Sequence, residues 1–210
     1  MGQAIAYVDG LNLYYGLSKT HMRRFLWLNI PALARDILAS LGWADTPLVT
    51  KYFTAPMLNE PARAKRQALF LDALRTDPTV QVIPGNMTAY TVWCTHCNRP
   101  NRKYHEKKTD TGMTAKIVRD ALRDDFDLAI LITRDTDFVP AIRMVKAECP
   151  EKIIILARPP GGGKWAELKN ECHRTMKLKA SRLARCQFPD EVVTAAGAIL
   201  RRPPEFSDDP

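Results

Sequence analysis

The sequence predicts a three-layer α/β protein, in which helices cover both faces of a doubly wound, mainly parallel sheet. Short apolar runs alternate with segments of helical periodicity along most of the chain, and this alternation is typical of parallel βαβ units. The first run, Ile5–Val8, is apolar at every position, as expected of a strand buried on both faces. The chain has 210 residues, enough for one such domain with peripheral additions.

The individual elements follow from the apolar pattern and from residues that favour turns or helix ends. Asn29, with a proline two positions later, is typical of a helix start, and Gly42 of a helix end. Gly85 lies in a Pro-Gly-Asn turn signal that ends the third strand. We predict strands at 5–8, 48–53, 80–83, 87–93, 128–132 and 153–156, and helices at 11–17, 31–41, 60–75, 109–122, 138–147 and 164–173.

Two segments differ from this βα pattern. Residues 87–93 alternate enough for an edge strand or one arm of a small hairpin, whereas residues 94–107 are polar and predict irregular chain. The segment after Phe188 is rich in proline towards its end, which predicts extended chain. We therefore expect one domain over 1–188, with a small hairpin or loop insertion at about 87–107, and a tail over 189–210.

The composition indicates a basic protein of a reducing compartment. The formal net charge is +8, and five of the six charged residues in 98–108 are basic. A solvated basic surface would explain this, but clustered Lys and Arg also raise affinity for nucleic acid. The odd number of cysteines, five, favours the cytoplasm over a disulfide framework. No apolar run approaches a membrane span of about 20 residues, and the early first strand leaves no room for a signal peptide.

A pair of cysteines lies inside the polar insertion. Cys94 and Cys97 have the C-x₂-C spacing of zinc sites, with His105 eight residues further on and His96 between the thiols. A structural zinc ion needs four ligands, and the sequence has no second C-x₂-C pair. Both a zinc site with Cys94, Cys97 and His105 and a pair of free thiols in a loop fit this pattern.

Carboxylates occupy the predicted strand ends and one helix start. Asp9 follows the first strand, and Asp110 opens the helix at 109–122. Asp135 and Asp137 follow the strand at 128–132. Ligands of open α/β sheets bind beyond the carboxyl ends of the strands, so we expect these side chains to meet there. Each could be a cap or turn residue alone, but gathered carboxylates require a hard cation, which predicts Mg²⁺ or Mn²⁺ and phosphate chemistry.

These residues resemble the NYN domains, a branch of the PIN-like nuclease superfamily. The resemblance lies in Tyr7–Asn12, Glu106–Asp110 and Asp127–Phe138, and it extends through 157–160 and 187–190. It is closest in kind to the bacterial stand-alone group (DUF88 or LabA-like) and covers nearly the whole chain. The order and spacing of the three acidic motifs are fairly specific, whereas the fold alone would not be.

The resemblance implies a PIN-like, Rossmann-like sheet with an acidic pocket and Mg²⁺- or Mn²⁺-dependent cleavage of RNA, endonucleolytic by analogy. It implies that Asp9, Asp110, Asp135 and Asp137 are catalytic metal ligands and that Asn12 supports the first of them. Basic side chains near the acidic motifs and in the insertion are candidates for contacts to RNA phosphates. They are Lys108, Arg134, Arg158, Arg102 and Lys103.

One position departs from the family pattern and leaves the activity open. The usual Ser-Gly before the paired aspartates is Thr133-Arg134 here. Arg134 could bind substrate phosphate, or it could crowd the pocket and lower turnover. The sequence therefore also allows an RNA-binding regulatory module with weak or no turnover. The Asp135-x-Asp137 spacing also allows a third activity, a phosphatase that acts on small phosphate esters. The sequence is also compatible with a homodimer.

Overall fold

The computed structural model describes residues 2–57, 60–163 and 165–206, without the side chains of 102–107. In chain order the strands are β1 (Ala4–Asp9), β2 (Leu48–Thr54), β3 (Val80–Pro84), β4 (Asn86–Trp93), β5 (Pro100–Lys107), β6 (Leu128–Ile132), β7 (Ile153–Arg158), β8 (Arg174–Lys177), β9 (Glu191–Val193) and β10 (Ile199–Arg201). The α-helices are α1 (Gly10–Ser18), α2 (Ile30–Ser40), α3 (Pro61–Leu74), α4 (Thr109–Leu122), α5 (Val139–Glu148), α6 (Ala166–Glu171) and α7 (Ala180–Arg185).

A six-stranded sheet in the order β3-β2-β1-β6-β7-β8 forms the centre of the fold. All of its neighbouring strands are parallel. The chain winds outward from β1 to β3, and then crosses back to β6 and winds the other way. This confirms the predicted doubly wound sheet and places its switch point between β1 and β6, where α/β proteins bind ligands.

Two apolar cores, one on each face of the sheet, complete the three layers. Ala4, Ala6 and Val8 of β1 pack with buried residues of α1 and α2. Ile5 and Tyr7, which alternate with them, pack with buried residues of α4 and α5. Because both faces of β1 are covered, its fully apolar sequence is explained. None of the helices within the described ranges is long and apolar enough to cross a membrane.

The insertion is a hairpin rather than a strand followed by irregular chain. β4 and β5 pair antiparallel, from Asn86 opposite Lys107 to Trp93 opposite Pro100. The prediction of irregular chain was therefore wrong for Pro100–Lys107 and correct only for the turn between the strands. Pairing with β4 supplies hydrogen-bond partners to a polar segment, and apolar periodicity does not reveal such pairing.

The C-terminal part of the chain is also more structured than predicted. β8, α7 and the β9–β10 hairpin were missed, and the proline-rich end predicted as extended contains a 3₁₀ turn at Pro204–Phe206. Val192 and Phe206 are buried in the core on the α1–α2 face. Trp27 reaches the start of this segment and donates from Nε1 to the carbonyl oxygen of Pro189 at 2.7 Å. These elements are only three to six residues long, so they carry little periodic signal.

A buried ion pair connects the sheet to α4. Tyr7 of β1 lies beside Lys51 of β2 in the sheet register, and both side chains donate to the Asp120 carboxylate, Tyr7 at 2.7 Å. Arg119 donates to the other carboxylate oxygen from Nε at 3.0 Å. Burial alone would raise the pKa of Asp120, but these hydrogen bonds, led by that from Lys51, lower it below its ordinary value. The carboxylate is therefore held in its charged form.

Asp120→Ala should destabilise the fold by about 3 to 5 kcal/mol, because it leaves the Lys51 ammonium buried without its partner. Urea unfolding of the variant beside the wild type measures this. Asp72→Ala is the matched control, since Asp72 pairs with Arg75 and both side chains are 53% exposed. Its cost should stay below about 1 kcal/mol. Equal costs for the two variants would contradict a structural role for the buried pair.

Candidate functional site

Asp9 lies at the carboxyl end of β1, beside the switch point of the sheet. It is the N-cap of α1, and its Oδ1 accepts a hydrogen bond from the backbone N–H of Asn12 at 2.9 Å. Its Oδ2 accepts from the Thr133 hydroxyl at 3.1 Å. The residue is only 5% exposed. A capping carboxylate is usually at the surface, so its burial here sets Asp9 apart from an ordinary cap.

Thr133, directly after β6, links the carboxylate of Asp9 to the next acidic loop. Its hydroxyl donates to Asp9 and accepts from the backbone N–H of Asp135 at 3.1 Å. The Asp135 carboxylate then accepts from the backbone N–H of Asp137 at 3.0 Å. The hydroxyl kept at this position therefore orients both acidic segments, a role that sequence reasoning did not assign to it.

Neighbouring charge and burial act together on Asp9. The pKa of the Asp9 carboxyl is raised to about 7, mainly by burial; the hydrogen bonds from Asn12 and Thr133 oppose the shift, and the negative charges of Asp110 and Asp135 contribute to it. Asp110 lies in the first turn of α4, which begins after Lys108 in a left-handed conformation at φ 75°. Three of the four predicted carboxylates thus share one electrostatic environment.

The fourth carboxylate is more peripheral. Asp137 is exposed in a 3₁₀ turn, and its described contact with the other carboxylates is the hydrogen bond to Asp135. Across the part of the chain that the structure describes, no three His, Cys, Asp or Glu side chains come close enough to hold a metal ion. The predicted cage of four aspartates is therefore not assembled in this conformation.

The donor set still fits a hard cation. Mg²⁺ is commonly bound by one or two carboxylates, with water and substrate phosphate as its other ligands. A buried carboxylate whose charge is opposed by two others is a group that a divalent cation would stabilise in its charged form. Asp9 together with Asp110 or Asp135 supplies such a set without a third protein ligand.

Arg134 forms the basic side of the site. Its Nε donates to the Oδ1 of Asn12 at 3.3 Å, and its guanidinium donates to the carbonyl oxygen of Gly162 at 2.8 Å. The side chain of Asn12 thus contacts Arg134, and only its backbone supports Asp9. Burial, and then the charge of Arg158, lower the pKa of Arg134, while the charge of Asp9 opposes this. The cation therefore lies close to the acidic group.

Arg158 and Trp165 extend this basic side. The Arg158 guanidinium lies 4.3 Å from the centre of the Trp165 ring and donates to the carbonyl oxygen of Gly161 at 3.3 Å. Gly161 has φ 113°, and a Cβ there would lie 2.2 Å from the Arg134 guanidinium. Only glycine allows this approach, so the loop after β7 is shaped around Arg134. Sequence reasoning gave Trp165 no role, although its place directly after the glycine loop was a usable signal.

The structure gives no contact with the acidic group for the remaining predicted residues that it describes. Lys108 is exposed, directly before the Thr109-Asp110 start of α4. Cys94 and Cys97 are exposed thiols in the turn between β4 and β5. The side chains of Arg102, Lys103 and His105 lie outside the described residues. The structure therefore places two of the five predicted phosphate contacts, Arg134 and Arg158, beside the acidic site.

Comparisons with known proteins agree with the fold and the motifs. The profile of the NYN domain family matches residues 5–179. A relative from Pseudomonas putida, named 6-hydroxy-3-succinoylpyridine 3-monooxygenase HspA, is 26% identical over 218 aligned positions, covering 87% of this chain and 69% of the relative. A crystal structure of a protein of unknown function from Vibrio parahaemolyticus has a TM-score of 0.53 at 15% identity, covering 85% of this chain and 94% of that one.

Asp9→Asn should stabilise the metal-free protein at alkaline pH. The folded chain holds the Asp9 proton up to about pH 7, whereas the unfolded chain releases it near pH 4. Wild-type stability therefore falls as pH rises between these values. In EDTA at pH 8 the variant should gain on the order of 2 to 4 kcal/mol. Urea unfolding at several pH values measures this, and a gain that does not shrink from pH 8 to pH 5 would contradict the assignment.

Proposed function

This chain belongs to the NYN domain family, and we propose that it is a metal-dependent ribonuclease that cleaves RNA phosphodiester bonds endonucleolytically. The observation that carries the proposal is the buried Asp9 carboxylate, opposed by Asp110 and Asp135 beside two arginines. RNA as the partner and the cytoplasm as the location are parts of the same proposal, supported by the net charge of +8 and by unpaired cysteines.

The cofactor in this proposal is Mg²⁺ or Mn²⁺. Asp9, Asp110 and Asp135 would hold it, with Asp137 at the edge of the site. A bound divalent cation supplies charge neutralisation at the phosphate and an activated water. The proposed nucleophile is water, so no covalent bond forms between the protein and RNA. A product carrying a 2′,3′-cyclic phosphate would contradict this mechanism.

The chain's own residues orient the substrate and the acids. Thr133 fixes the Asp9 and Asp135 carboxylates relative to each other through its hydroxyl. Arg134 is held by Asn12 and Gly162, so its guanidinium is ordered before substrate binds, which limits the entropy lost on binding phosphate. The Arg158–Trp165 pair offers a cation for phosphate and an aromatic face for an unpaired base.

The alternative is an RNA-binding regulatory module with weak turnover. The observation that favours it is Arg134 itself, which stands close to Asp9 where the family usually has glycine. Its positive charge could replace part of the charge that a metal ion supplies. The catalytic and regulatory proposals predict the same RNA affinity and differ in cleavage.

The relative's name suggests a different chemistry, oxidation of a small aromatic acid. An apolar pocket lies beside Asp9, between α1, the end of β2 and α3, with Tyr14, Tyr52 and Phe70 in its lining and Arg63 and Arg66 at its edge. Its volume is about 50 Å³, whereas a cavity that binds benzene measures about 150 Å³. We favour the ribonuclease because the match to the NYN domain family and the carboxylates around Asp9 support it directly.

Asp135→Asn should reduce metal-dependent RNA cleavage by at least about a hundredfold, because even indirect partners of metal ligands contribute 10- to 100-fold. The measurement is cleavage of a mixed RNA pool with Mn²⁺, Mg²⁺ or EDTA. Asp72→Asn, on the exposed surface of α3, is the control and should cleave like the wild type.

RNA affinity distinguishes the outcomes of this experiment. Asp135→Asn should bind RNA as tightly as the wild type or tighter, since it removes negative charge. Cleavage that persists in the variant would contradict the catalytic role assigned to Asp135. RNA binding without cleavage by the wild type would favour the regulatory module.

Arg134→Ala should weaken RNA binding and reduce the slope of log K against log salt concentration by about one, as expected for the loss of one phosphate contact. Binding titrations at several salt concentrations measure the slope. Arg35→Ala is the control, because Arg35 lies on α2 and is 51% exposed in a pair with Asp77. If Arg134→Ala instead cleaves faster at unchanged affinity, Arg134 crowds the pocket rather than binding substrate.

A further inference from the structure

Two thiols lie three residues apart in a turn whose backbone is fixed. The backbone N–H of Cys94 donates to the carbonyl oxygen of Arg99 at 2.9 Å, and that of Asn98 donates to the carbonyl oxygen of Cys94 at 2.9 Å. Asn98 adopts a left-handed conformation at φ 49°, which reverses the chain directly after the second cysteine. The turn leaves both thiols exposed to solvent.

The spacing and the turn together give the local arrangement that a structural zinc ion requires. Structural zinc sites commonly take two thiolates from one C-x₂-C segment, and the thiolate is the form of cysteine that binds metal. Both thiols are exposed, so a metal ion can reach them from solvent.

The turn supplies only half of such a site. Structural zinc is bound by four ligands in a tetrahedron. Among the side chains that the structure describes, no third Cys, His, Asp or Glu joins Cys94 and Cys97 in a group that could hold a metal. His105 lies on β5 opposite Thr88, about 20 Å along the strand from Cys94 at roughly 3.3 Å per residue, so the two further ligands have to come from elsewhere.

The hairpin that carries the turn exposes aromatic surface that a second protein surface could cover. β4 and β5 pair with each other and form a sheet separate from the central one. An isolated two-stranded hairpin is marginally stable in water. Trp93, at the end of β4 next to the turn, is 59% exposed. This aromatic side chain would gain from burial against another protein surface.

We propose that Cys94 and Cys97 form half of a zinc–thiolate site that is completed by the same two residues of a second copy of this chain. A two-fold axis through the metal makes the interface isologous, so that each hairpin supplies the same pair. Four thiolates around Zn²⁺ carry a net charge of −2, which the basic chain, at +8 per copy, can balance. Trp93 of both copies, directly before Cys94, lies beside the metal and buries its exposed ring.

The test is zinc content and mass in solution, measured on the full chain purified under reducing conditions from zinc-supplemented medium. Elemental analysis should find about one zinc ion per two chains, since four thiolates complete the tetrahedron. Light scattering should find a dimer that dissociates when a strong chelator removes the zinc. Cobalt substitution should give the visible absorption of a tetrahedral thiolate site.

Variants separate the metal site from general effects of cysteine removal. Cys94→Ser and Cys97→Ser, at exposed positions, should keep the fold by circular dichroism but lose both zinc and dimer. Cys172→Ser, in a half-buried position outside the hairpin, should keep both. Absence of zinc, one zinc per chain in a monomer, or a dimer that survives zinc removal would each overturn the proposal. None of these outcomes depends on RNA cleavage.

Discussion

A carboxylate buried at the centre of an all-parallel sheet is the constraint on which the functional site depends. Winding the chain outward in both directions from β1 brings the end of that strand to the switch point, with α1, α4 and the loop after β6 around it. Asp9 is therefore desolvated by the same packing that stabilises the fold. Two hydrogen bonds support its charge, but the nearby Asp110 and Asp135 oppose it. The packing that stabilises the fold thus also raises the pKa of this carboxyl to about 7.

Helix α4 illustrates how this site differs from an ordinary buried acid. Near its C-terminal end, Asp120 accepts hydrogen bonds from Lys51, Tyr7 and Arg119, and its pKa is lowered. At its N-terminal end, Asp110 adds negative charge to the environment of Asp9, whose pKa is raised. The same helix therefore anchors the fold through a satisfied ion pair and contributes to a site of opposed charges. Only the second arrangement has the raised carboxyl pKa that is common at functional sites.

The sequence predicted the elements that carry their own periodic signal. β1, β2, β6 and β7 are apolar runs, and four helices have a clear stripe or cap, so their bounds agree with the structure to within a few residues. β5, β8 and the β9–β10 hairpin are short or polar, and they form because a neighbouring strand or the core supplies their partners. No local sequence pattern predicts such pairing, because it depends on tertiary contacts.

In the candidate site, too, only residues marked by a local sequence pattern could be predicted. Asp9 and Asp135 were predictable because they follow parallel strands, whose carboxyl ends meet at one edge of the sheet, and Asp110 because it opens a helix that can direct it towards the same edge. Partners that depend on register or loop shape were not predictable. Lysine is usually exposed, and only the sheet register shows that Lys51 lies beside Tyr7. The contact between Arg134 and Asn12, which moves the amide away from Asp9, depends on the glycine loop after β7.

The hairpin connects the two sites proposed for this chain. It begins where β3 ends, with Gly85 held by a hydrogen bond to the carbonyl oxygen of Thr54 at 2.7 Å, and it returns to Lys108 at the start of α4. The hairpin is therefore joined at both ends to elements of the central domain, and its second strand leads into α4. The most direct test of the central claim is a crystal structure of the protein with Mn²⁺, with the ion located by its anomalous scattering. The account predicts an ion bound by Asp9 and by Asp110 or Asp135, and Mn²⁺ that avoids Asp9 at saturating concentration would contradict it.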